Sequence, residues 1–160
     1  MCIKKKSAII LQGIPQKAFF DLLKKKKAKS VVICEGRPTL EAAQKNAKSL
    51  LKERIKPILI SDNSAGFLFY KDCVKEIWIA YQLVSRQGAL CDVGALILAI
   101  MSRKHKIPVR LYPSCRTTKF FGTQKDIVNF KNKRIAPKGI KGFVPLVEWV
   151  PAKYITEVVK

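Results

Sequence analysis

The sequence lacks several features that would fix its class at once. Its five cysteines stand singly and never form a C-x-x-C pair, so neither a disulfide framework nor a zinc site is indicated. No run of about 18 apolar residues is present, and no apolar segment follows the N-terminal Lys4, Lys5 and Lys6. We therefore expect a cytoplasmic protein with no membrane partner, no metal and no cofactor, and with Cys34 and Cys91 as buried, inert thiols.

Three common phosphate-binding and catalytic signatures are also missing. The chain contains no G-x-G-x-x-G, no G-x-x-x-x-G-K-[ST] and no G-x-S-x-G motif. These absences count against a dinucleotide dehydrogenase, a P-loop NTPase and an α/β-hydrolase. The single histidine, His105, stands between two lysines, and we expect it at the surface rather than in a catalytic site.

Acidic residues are few. The chain has 32 Lys and Arg against 11 Asp and Glu, which gives a formal net charge of +21 over 160 residues. Such an excess favours nucleic acid, an anionic surface or phosphorylated ligands as partners, without specifying any of them. The length suits a single domain, residues 1–160, with a core large enough to be stable without disulfides or a structural metal.

Short apolar runs alternate with stretches of helical spacing, which is typical of βαβ units. The runs are apolar on consecutive residues, as expected for a sheet covered on both faces. We predict an α/β fold, a doubly wound, mostly parallel sheet with helices on both faces. The predicted strands are SAIIL (7–11), SVVIC (30–34), KPILIS (56–61), EIWIAYQLV (76–84) and VRLYP (109–113).

Helices are predicted between these strands. Apolar residues recur at intervals of three and four in two of them, and the third is apolar almost all round, which indicates a buried helix. After Pro113 the sequence predicts a long loop to Gly142, a short strand near Leu146 and a terminal helix. The three predicted helices are residues 15–28, 38–54 and 90–103.

Polar residues follow several predicted strands, at the edge where open α/β sheets bind ligands. Arg37 is suited to hold a phosphate, and Asp62 to accept hydrogen bonds from a sugar hydroxyl. The alternatives are that Arg37 pairs with Glu35 and that Asp62 or Ser61 caps the short helix around Ala65 to Phe69.

Two further candidates complete the predicted ligand site. Gln82 follows a predicted strand, and Gly88 comes just before the apolar helix, whose first N–H groups would form an anion site. The predicted ligand-binding residues are Arg37, Asp62, Asn63, Gln82 and Gly88.

The order of several short motifs resembles a known family. CEGRPTLEAAQKNAKSLLKERIKPILISDNSAGFLF is similar to a family stretch with E-S/T-R-P, a helix, a strand and D-N/S-x-A. IAYQLVSRQGALCDVGALILAIMSRKHKIPVRLYPSC is similar to one with G-A-D/E, N-G, N-K-x-G-T, a helix and a strand. TTKFF and VPLVEWVPAKYITEVV resemble its closing segments. The family is that of translation initiation factor 2B alpha, beta and delta subunits, with methylthioribose-1-phosphate and ribose-1,5-bisphosphate isomerases as enzymatic relatives.

The resemblance covers about residues 7–159 and implies a Rossmann-like domain that dimerises. In the family this domain normally follows an N-terminal helical domain, for which we find no counterpart in the sequence. Arg37 and Asp62 match the family pattern. Candidate dimer contacts are the apolar helix from Leu90 and the late residues Phe143, Leu146, Trp149 and Tyr154.

The resemblance also implies that the isomerase chemistry is lost. Gly13 stands where the isomerases have a catalytic cysteine, and Gln82 where they have the aspartate of G-A-D. Asp92 and Val93 replace their asparagine and lysine, and Glu41 replaces a glutamine. Because an amide cannot replace a carboxylic acid in proton transfer, an enzyme is not favoured.

Three functions stay open from the sequence. The first is a non-catalytic regulatory or binding dimer related to the initiation factor subunits. The second is an isomerase or sensor for a phosphorylated sugar or nucleotide, with a rearranged site. The third is a basic protein associated with nucleic acid, although few aromatic residues accompany its lysines.

Overall fold

The computed structural model describes residues 3–28, 30–130 and 132–159. The principal strands are β1 (Ala8–Gln12), β2 (Ser30–Cys34), β3 (Ile58–Ile60), β4 (Val74–Ser85), β5 (Gly88–Asp92), β6 (Val109–Pro113), β7 (Asn129–Phe130), β8 (Lys133–Arg134), β9 (Val147–Pro151) and β10 (Glu157–Val158). The helices are α1 (Lys17–Lys25), α2 (Glu41–Lys52), α3 (Ser64–Tyr70), α4 (Ala95–Lys104), α5 (Gln124–Val128) and the one-turn 3-10 helix Ala152–Tyr154.

Six strands form the parallel part of the sheet, in the order β10-β6-β4-β1-β2-β3. β5 turns back along the second half of β4 and pairs antiparallel with both β4 and β9. The order reverses at β1, between β2 and β4. A ligand crevice is expected there in a doubly wound sheet, so the predicted fold class is confirmed.

Helices cover both faces of this sheet. Consecutive residues of β1 are therefore apolar, because each face of the strand packs against a core cluster. Ala8 and Ile10 face one core cluster, with α3 and α4, whereas Ile9 and Leu11 face another, with α1 and α2. All four are at most 4% exposed. Truncating a buried Leu or Ile of this kind to Ala costs about 2–5 kcal/mol.

The second half of the chain departs from the sequence prediction. Residues 88–92 form strand β5, and α4 begins at Ala95 instead of Leu90, because this segment pairs with two neighbouring strands. The predicted loop contains α5 and the small β7–β8 hairpin. The predicted terminal helix is wrong, because those residues form β9, one 3-10 turn and β10.

Within the described ranges, no helix is long and apolar enough to cross a membrane. His105 follows α4 and is exposed, as predicted, with its ring 5.4 Å from that of Phe69.

Candidate functional site at the carboxyl edge of the sheet

A small polar cleft, with a volume of about 20 Å³, lies where the strands of the parallel sheet end. Its walls come from the loop after β2, the end of β5 and the loop after β6. An apolar cavity of about 260 Å³ lies beside it, between α3 and α4. Gln12, at the end of β1, lines both spaces, and its amide Nε2 donates to the Val93 carbonyl at 2.7 Å.

Asp62 fixes the loop that follows β2. Its two carboxylate oxygens accept the backbone N–H groups of Gly36 and Arg37, each at 2.9 Å. Because both oxygens accept hydrogen bonds from the backbone of this loop, the Asp62 carboxylate does not cap α3 and is not oriented toward solvent. Asn63 is the N-cap residue of α3, but its side chain makes no capping hydrogen bond. Asn63 lines the apolar cavity together with Asp62.

Arg37 lies on the wall of the polar cleft. Its guanidinium stacks over the Phe130 ring, 4.5 Å from the ring centroid. The ion pairs of the described residues include none between Arg37 and Glu35. Because a guanidinium on an aromatic face keeps its in-plane N–H donors available, Arg37 retains the chemistry needed to hold an anion.

Gln82 is engaged at both ends of its amide. Nε2 donates to Asp92 Oδ1 at 2.8 Å, and Oε1 accepts the backbone N–H of Thr118 at 2.6 Å. The Thr118 hydroxyl also lies 3.5 Å from Asp92 Oδ1. Gln82 therefore ties the end of β4 to the loop after β6.

Arg116 occupies the middle of the polar cleft, and the sequence analysis missed it. Its Nη2 lies 3.2 Å from Asp92 Oδ2, and its Nη1 pairs with the Glu41 carboxylate. Its Nε is buried without a hydrogen-bond partner in the described structure. Glu41 and Asp92 are carboxylates at positions where the resembling isomerases have neutral amides. Two added negative charges indicate a cation nearby, and this pattern could have identified Arg116.

Gly13 follows β1 in a backbone conformation that disfavours a side chain. Its φ is +78°, and a Cβ built on it would lie 3.0 Å from the Ala80 Cβ. Its carbonyl accepts the buried amide Nδ2 of Asn46 at 2.8 Å, whereas Asn46 Oδ1 has no partner among the described residues.

The start of α4 is not available to an anionic ligand. Glu148 of β9 accepts the Leu96 backbone N–H at 2.8 Å, so a carboxylate of the protein already occupies this helix end. Gly88 lies far from the helix start, buried in β5 against Val150 of β9. The structural basis predicted for an anion site at Gly88 is therefore wrong.

Two cysteines that the sequence predicts to be inert, Cys34 and Cys91, are buried. Burial, followed by the charges of Asp62 and Glu35, raises the pKa of Cys34 to about 12. Burial, Asp92 and Glu148 likewise raise the pKa of Cys91 to about 12. Both are thiols at neutral pH, which makes them poor nucleophiles. Cys2 lies outside the described residues.

The described part of the chain contains no group of three or more His, Cys, Asp or Glu side chains arranged to hold a metal ion. The residues that the structure brings together at the cleft are Gln12, Arg37, Asp62, Gln82, Asp92 and Arg116. Of these, Arg37 and Arg116 are cationic, and Arg116 is already paired with Asp92 and Glu41.

The fold and cleft together define a doubly wound α/β domain with a polar site at its topological switch point. The chain belongs to the initiation factor 2 subunit family, whose sequence profile matches residues 16–160. This confirms the family that the sequence motifs resembled.

Relatives named methylthioribose-1-phosphate isomerase are similar in sequence. That from Desulforudis audaxviator is 26% identical over 137 residues, covering 78% of this chain and 39% of the relative. That from Roseiflexus sp. is 29% identical over 143 residues, covering 81% and 40% respectively. The chain thus spans about two fifths of the length of these relatives.

Two solved structures share the fold. Translation initiation factor eIF-2B, subunit delta, from A. fulgidus superposes with a TM-score of 0.84 at 15% identity, covering 98% of this chain and 52% of that one. The 5-methylthioribose 1-phosphate isomerase from Pyrococcus horikoshii OT3 gives 0.83 at 19% identity, covering 99% and 51%.

Proposed function

We propose that this chain is a non-catalytic member of its family, related in role to the translation initiation factor subunits rather than to the isomerases. The observation that carries the proposal is the pairing of Arg116 with Glu41 and Asp92 in the middle of the cleft. Both carboxylates stand where the isomerases resembled by this sequence have neutral amides. Arg116 pairs with both carboxylates, and Lys45 Nζ lies 3.6 Å from Glu41 Oε2, so the protein's own charges fill the centre of the site.

The position of Gly13 supports the same conclusion. In the resembling isomerases a catalytic cysteine stands here, whereas no cysteine is among the described residues that line the polar cleft. Cys34 also lines the neighbouring cavity, but its raised pKa of about 12 leaves it protonated at neutral pH. A protonated, buried thiol is not a substitute nucleophile or base.

Gln82 removes the second catalytic group. An aldose–ketose isomerisation moves a proton between two carbons and two oxygens, which needs a group that can give and take that proton. The Gln82 amide cannot do this, and its hydrogen bonds to Asp92 and from Thr118 fix it in place. Asp92 itself is held by Arg116 and Gln82, so it is a charge partner rather than a free base.

A direct assay tests the loss of catalysis. The protein is incubated with methylthioribose 1-phosphate and, separately, with ribose 1,5-bisphosphate, and ketose formation is followed by NMR, with an active isomerase relative as the positive control. We expect no turnover, and none in Gly13→Cys/Gln82→Asp, because the φ of +78° and the Ala80 contact oppose a side chain at residue 13. Turnover by the unmodified chain would overturn the proposal.

A second candidate function is a sensor for a phosphorylated sugar or nucleotide. Arg37 favours it, because this guanidinium lines the cleft, stacks on Phe130 and is absent from the ion pairs of the described residues. A thermal-shift series with sugar phosphates and nucleotides, with sulfate as the simple-anion control, tests it. A ligand-specific shift that disappears in Arg37→Ala supports a sensor, and a response no larger than that to sulfate rejects it.

We also propose that the chain associates with a second copy or with related subunits. Exposed apolar residues on α4 and near the C-terminal strands support this, including Ile97 at 65%, Phe143 at 79% and Trp149 at 37% exposed. Leu146 and Tyr154 are partly buried and less available. Light scattering over a range of concentrations should show a dimer that Ile97→Glu weakens, whereas a monomer at all concentrations rejects self-association.

A further inference from the structure

A second polar cleft lies at the opposite edge of the sheet, where β1 and β4 begin. It has a volume of about 510 Å³, and its walls come from the N-terminal segment, the turn after α1 and the start of β4. Lysine dominates its described lining, with Lys4, Lys5, Lys6, Lys26, Lys27 and Lys75.

Local turns hold the walls of this lysine cleft in place. The Lys6 N–H donates to the Asp72 carbonyl at 2.8 Å, and the Ser7 hydroxyl donates to the Lys4 carbonyl at 2.7 Å. On the facing wall, the Lys27 N–H donates to the Lys24 carbonyl at 3.0 Å. The backbone of the cleft is thus fixed by hydrogen bonds, while the ammonium groups at the ends of the side chains reach solvent.

Glu76 is the one carboxylate among the described residues of the lining, and it is already saturated. Both of its oxygens accept Lys26 Nζ, at 3.1 and 3.2 Å, and Oε2 also accepts the Trp78 indole N–H at 2.8 Å. Arg110 Nε lies 3.1 Å from the same oxygen. Glu76 is only 6% exposed, and its charge is already paired with Lys26 and Arg110.

The remaining five lysines of the cleft are exposed, and the described structure shows no ion pair for any of them. Their charges converge on one concave space, which raises the local positive potential beyond that of lysines spread over a surface. A ligand with several closely spaced negative charges would match this arrangement.

We propose that this lysine cleft binds the phosphodiester backbone of nucleic acid without reading its sequence. Lysine contacts phosphates as a compact point charge, and release of counterions from the nucleic acid drives such binding. No arginine and no aromatic side chain is among the described lining residues, so neither bidentate base contacts nor base stacking is available.

The same lining argues against a membrane surface. Stable attachment to a bilayer combines basic residues with apolar side chains that insert below the headgroups. The apolar lining residues are Ile9, which is 4% exposed, and Ala28, which is partly buried, and both pack in the core with α1 and α2. The cleft is concave and rich in lysine, which suits a phosphodiester backbone rather than a flat surface.

Equilibrium binding to labelled RNA and DNA duplexes of mixed sequence, measured by fluorescence anisotropy over a salt series, tests the proposal. The variant Lys5→Gln/Lys27→Gln/Lys75→Gln removes three charges from the cleft, and Lys104→Gln/Lys119→Gln/Lys138→Gln removes three exposed charges from elsewhere. Each duplex phosphate contact is worth about eightfold in affinity at roughly 0.1 M salt.

We expect the cleft variant to bind at least about tenfold more weakly and to lower the slope of log K against log salt by about 2–3. The control variant should change affinity by no more than about twofold, because screening limits distant charges. Equal losses in the two variants would show that binding comes from overall charge and would overturn the proposal.

Lysine footprinting on the unmodified protein gives a second test that does not depend on variant folding. In the presence of duplex, Lys5, Lys27 and Lys75 should be protected from an amine-reactive reagent, whereas Lys104 and Lys138 should react as before. Vesicles containing phosphatidylserine serve as the competing partner. Protection by vesicles but not by duplex would overturn the proposal in favour of a membrane.

Discussion

The guanidinium of Arg116 lies against the carboxylate of Asp92, with Nη2 3.2 Å from Oδ2, while its other terminal nitrogen pairs with Glu41. Arg116 and Asp92 are 21% and 13% exposed in their side chains, so solvent screens this pair only in part. The three residues come from the loop after β6, the end of β5 and the start of α2. One side chain thereby joins three separate parts of the cleft.

Removal of this guanidinium should destabilise the fold. Arg116→Gln leaves the Asp92 carboxylate partly buried without its cationic partner, and we expect a loss of about 1–3 kcal/mol in the free energy of unfolding. Urea denaturation of the single variants and of Arg116→Gln/Asp92→Asn gives their coupling energy. The coupling should exceed about 0.5 kcal/mol.

The exposed pair of Lys24 and Glu53 is the matched control for that cycle, because Lys24 is 64% exposed at an Nζ–Oε2 distance of 3.2 Å. Its coupling should be below about 0.5 kcal/mol. A coupling at Arg116 and Asp92 no larger than this would mean that the central pair contributes little.

Glu76 should make the stability of the domain depend on acid pH. Burial raises its pKa, but the hydrogen bonds from Trp78 and Lys26 and the charges of Lys26 and Arg110 outweigh burial and hold the pKa below 4.5. The folded state therefore binds this proton less readily than the unfolded state. The resulting stability is fully present above the unfolded pKa and is lost as pH falls through the folded value.

Urea denaturation between about pH 3 and pH 6 checks this, with Glu76→Gln as the comparison. The difference in stability between the unmodified protein and the variant should shrink as the pH is lowered. A difference that stays constant across this range would contradict the lowered pKa of Glu76.

Thiol reactivity should separate the buried cysteines from the exposed one. Cys115 is exposed, whereas Cys34 and Cys91 are buried with pKa values of about 12. Iodoacetamide at about pH 8, followed by peptide mass spectrometry, should modify Cys115 first and the other two only after unfolding. Rapid native labelling of Cys34 would mean that the apolar cavity it lines opens far more than the structure shows.

The β5–β9 pairing depends on the lack of a side chain at Gly88. A Cβ there would collide with the Val150 carbonyl and lie 2.9 Å from the Trp149 indole nitrogen. Gly88→Ala should therefore cost more than about 2 kcal/mol. Gly66 lies in α3 with nothing within 4 Å of a Cβ position, so Gly66→Ala should instead be neutral or stabilising by up to about 1 kcal/mol. Thermal unfolding compares the two, and equal effects would contradict this packing.

The parallel half of the fold was predictable because its signals are local. Consecutive apolar residues in β1 indicated a sheet buried on both faces, and the amphipathic spacing in α2 indicated its helix. The hairpin of β4 and β5 was not predictable in this way. The run of apolar residues from Leu90 suits a buried strand and a buried helix equally. Its first residues form a strand because they pair with β9, some 60 residues away.

The candidate site was predictable only in part for a related reason. Arg37, Asp62 and Gln82 were found because they follow predicted strands. Their partners were not found, because Asp62 bonds to backbone N–H groups and Gln82 bonds across to Asp92 and Thr118. Arg116 lies in a loop without a recognisable pattern, and its role depends on three elements that meet only in the folded chain.

We propose that the ion pairs of Arg116 with Glu41 and Asp92 keep this guanidinium from binding an anionic ligand. Calorimetric titration with ribose 5-phosphate tests it on the unmodified protein, on Glu41→Gln/Asp92→Asn and on the same double variant with Arg116→Gln added. The lysine cleft is identical in all three, so its contribution cancels. We predict at least about tenfold tighter binding in the double variant, since a freed guanidinium forms charge-assisted hydrogen bonds, and loss of that gain in the triple variant. Binding by the unmodified protein as tight as by the double variant would contradict the claim and would instead support an open, ligand-sensing cleft.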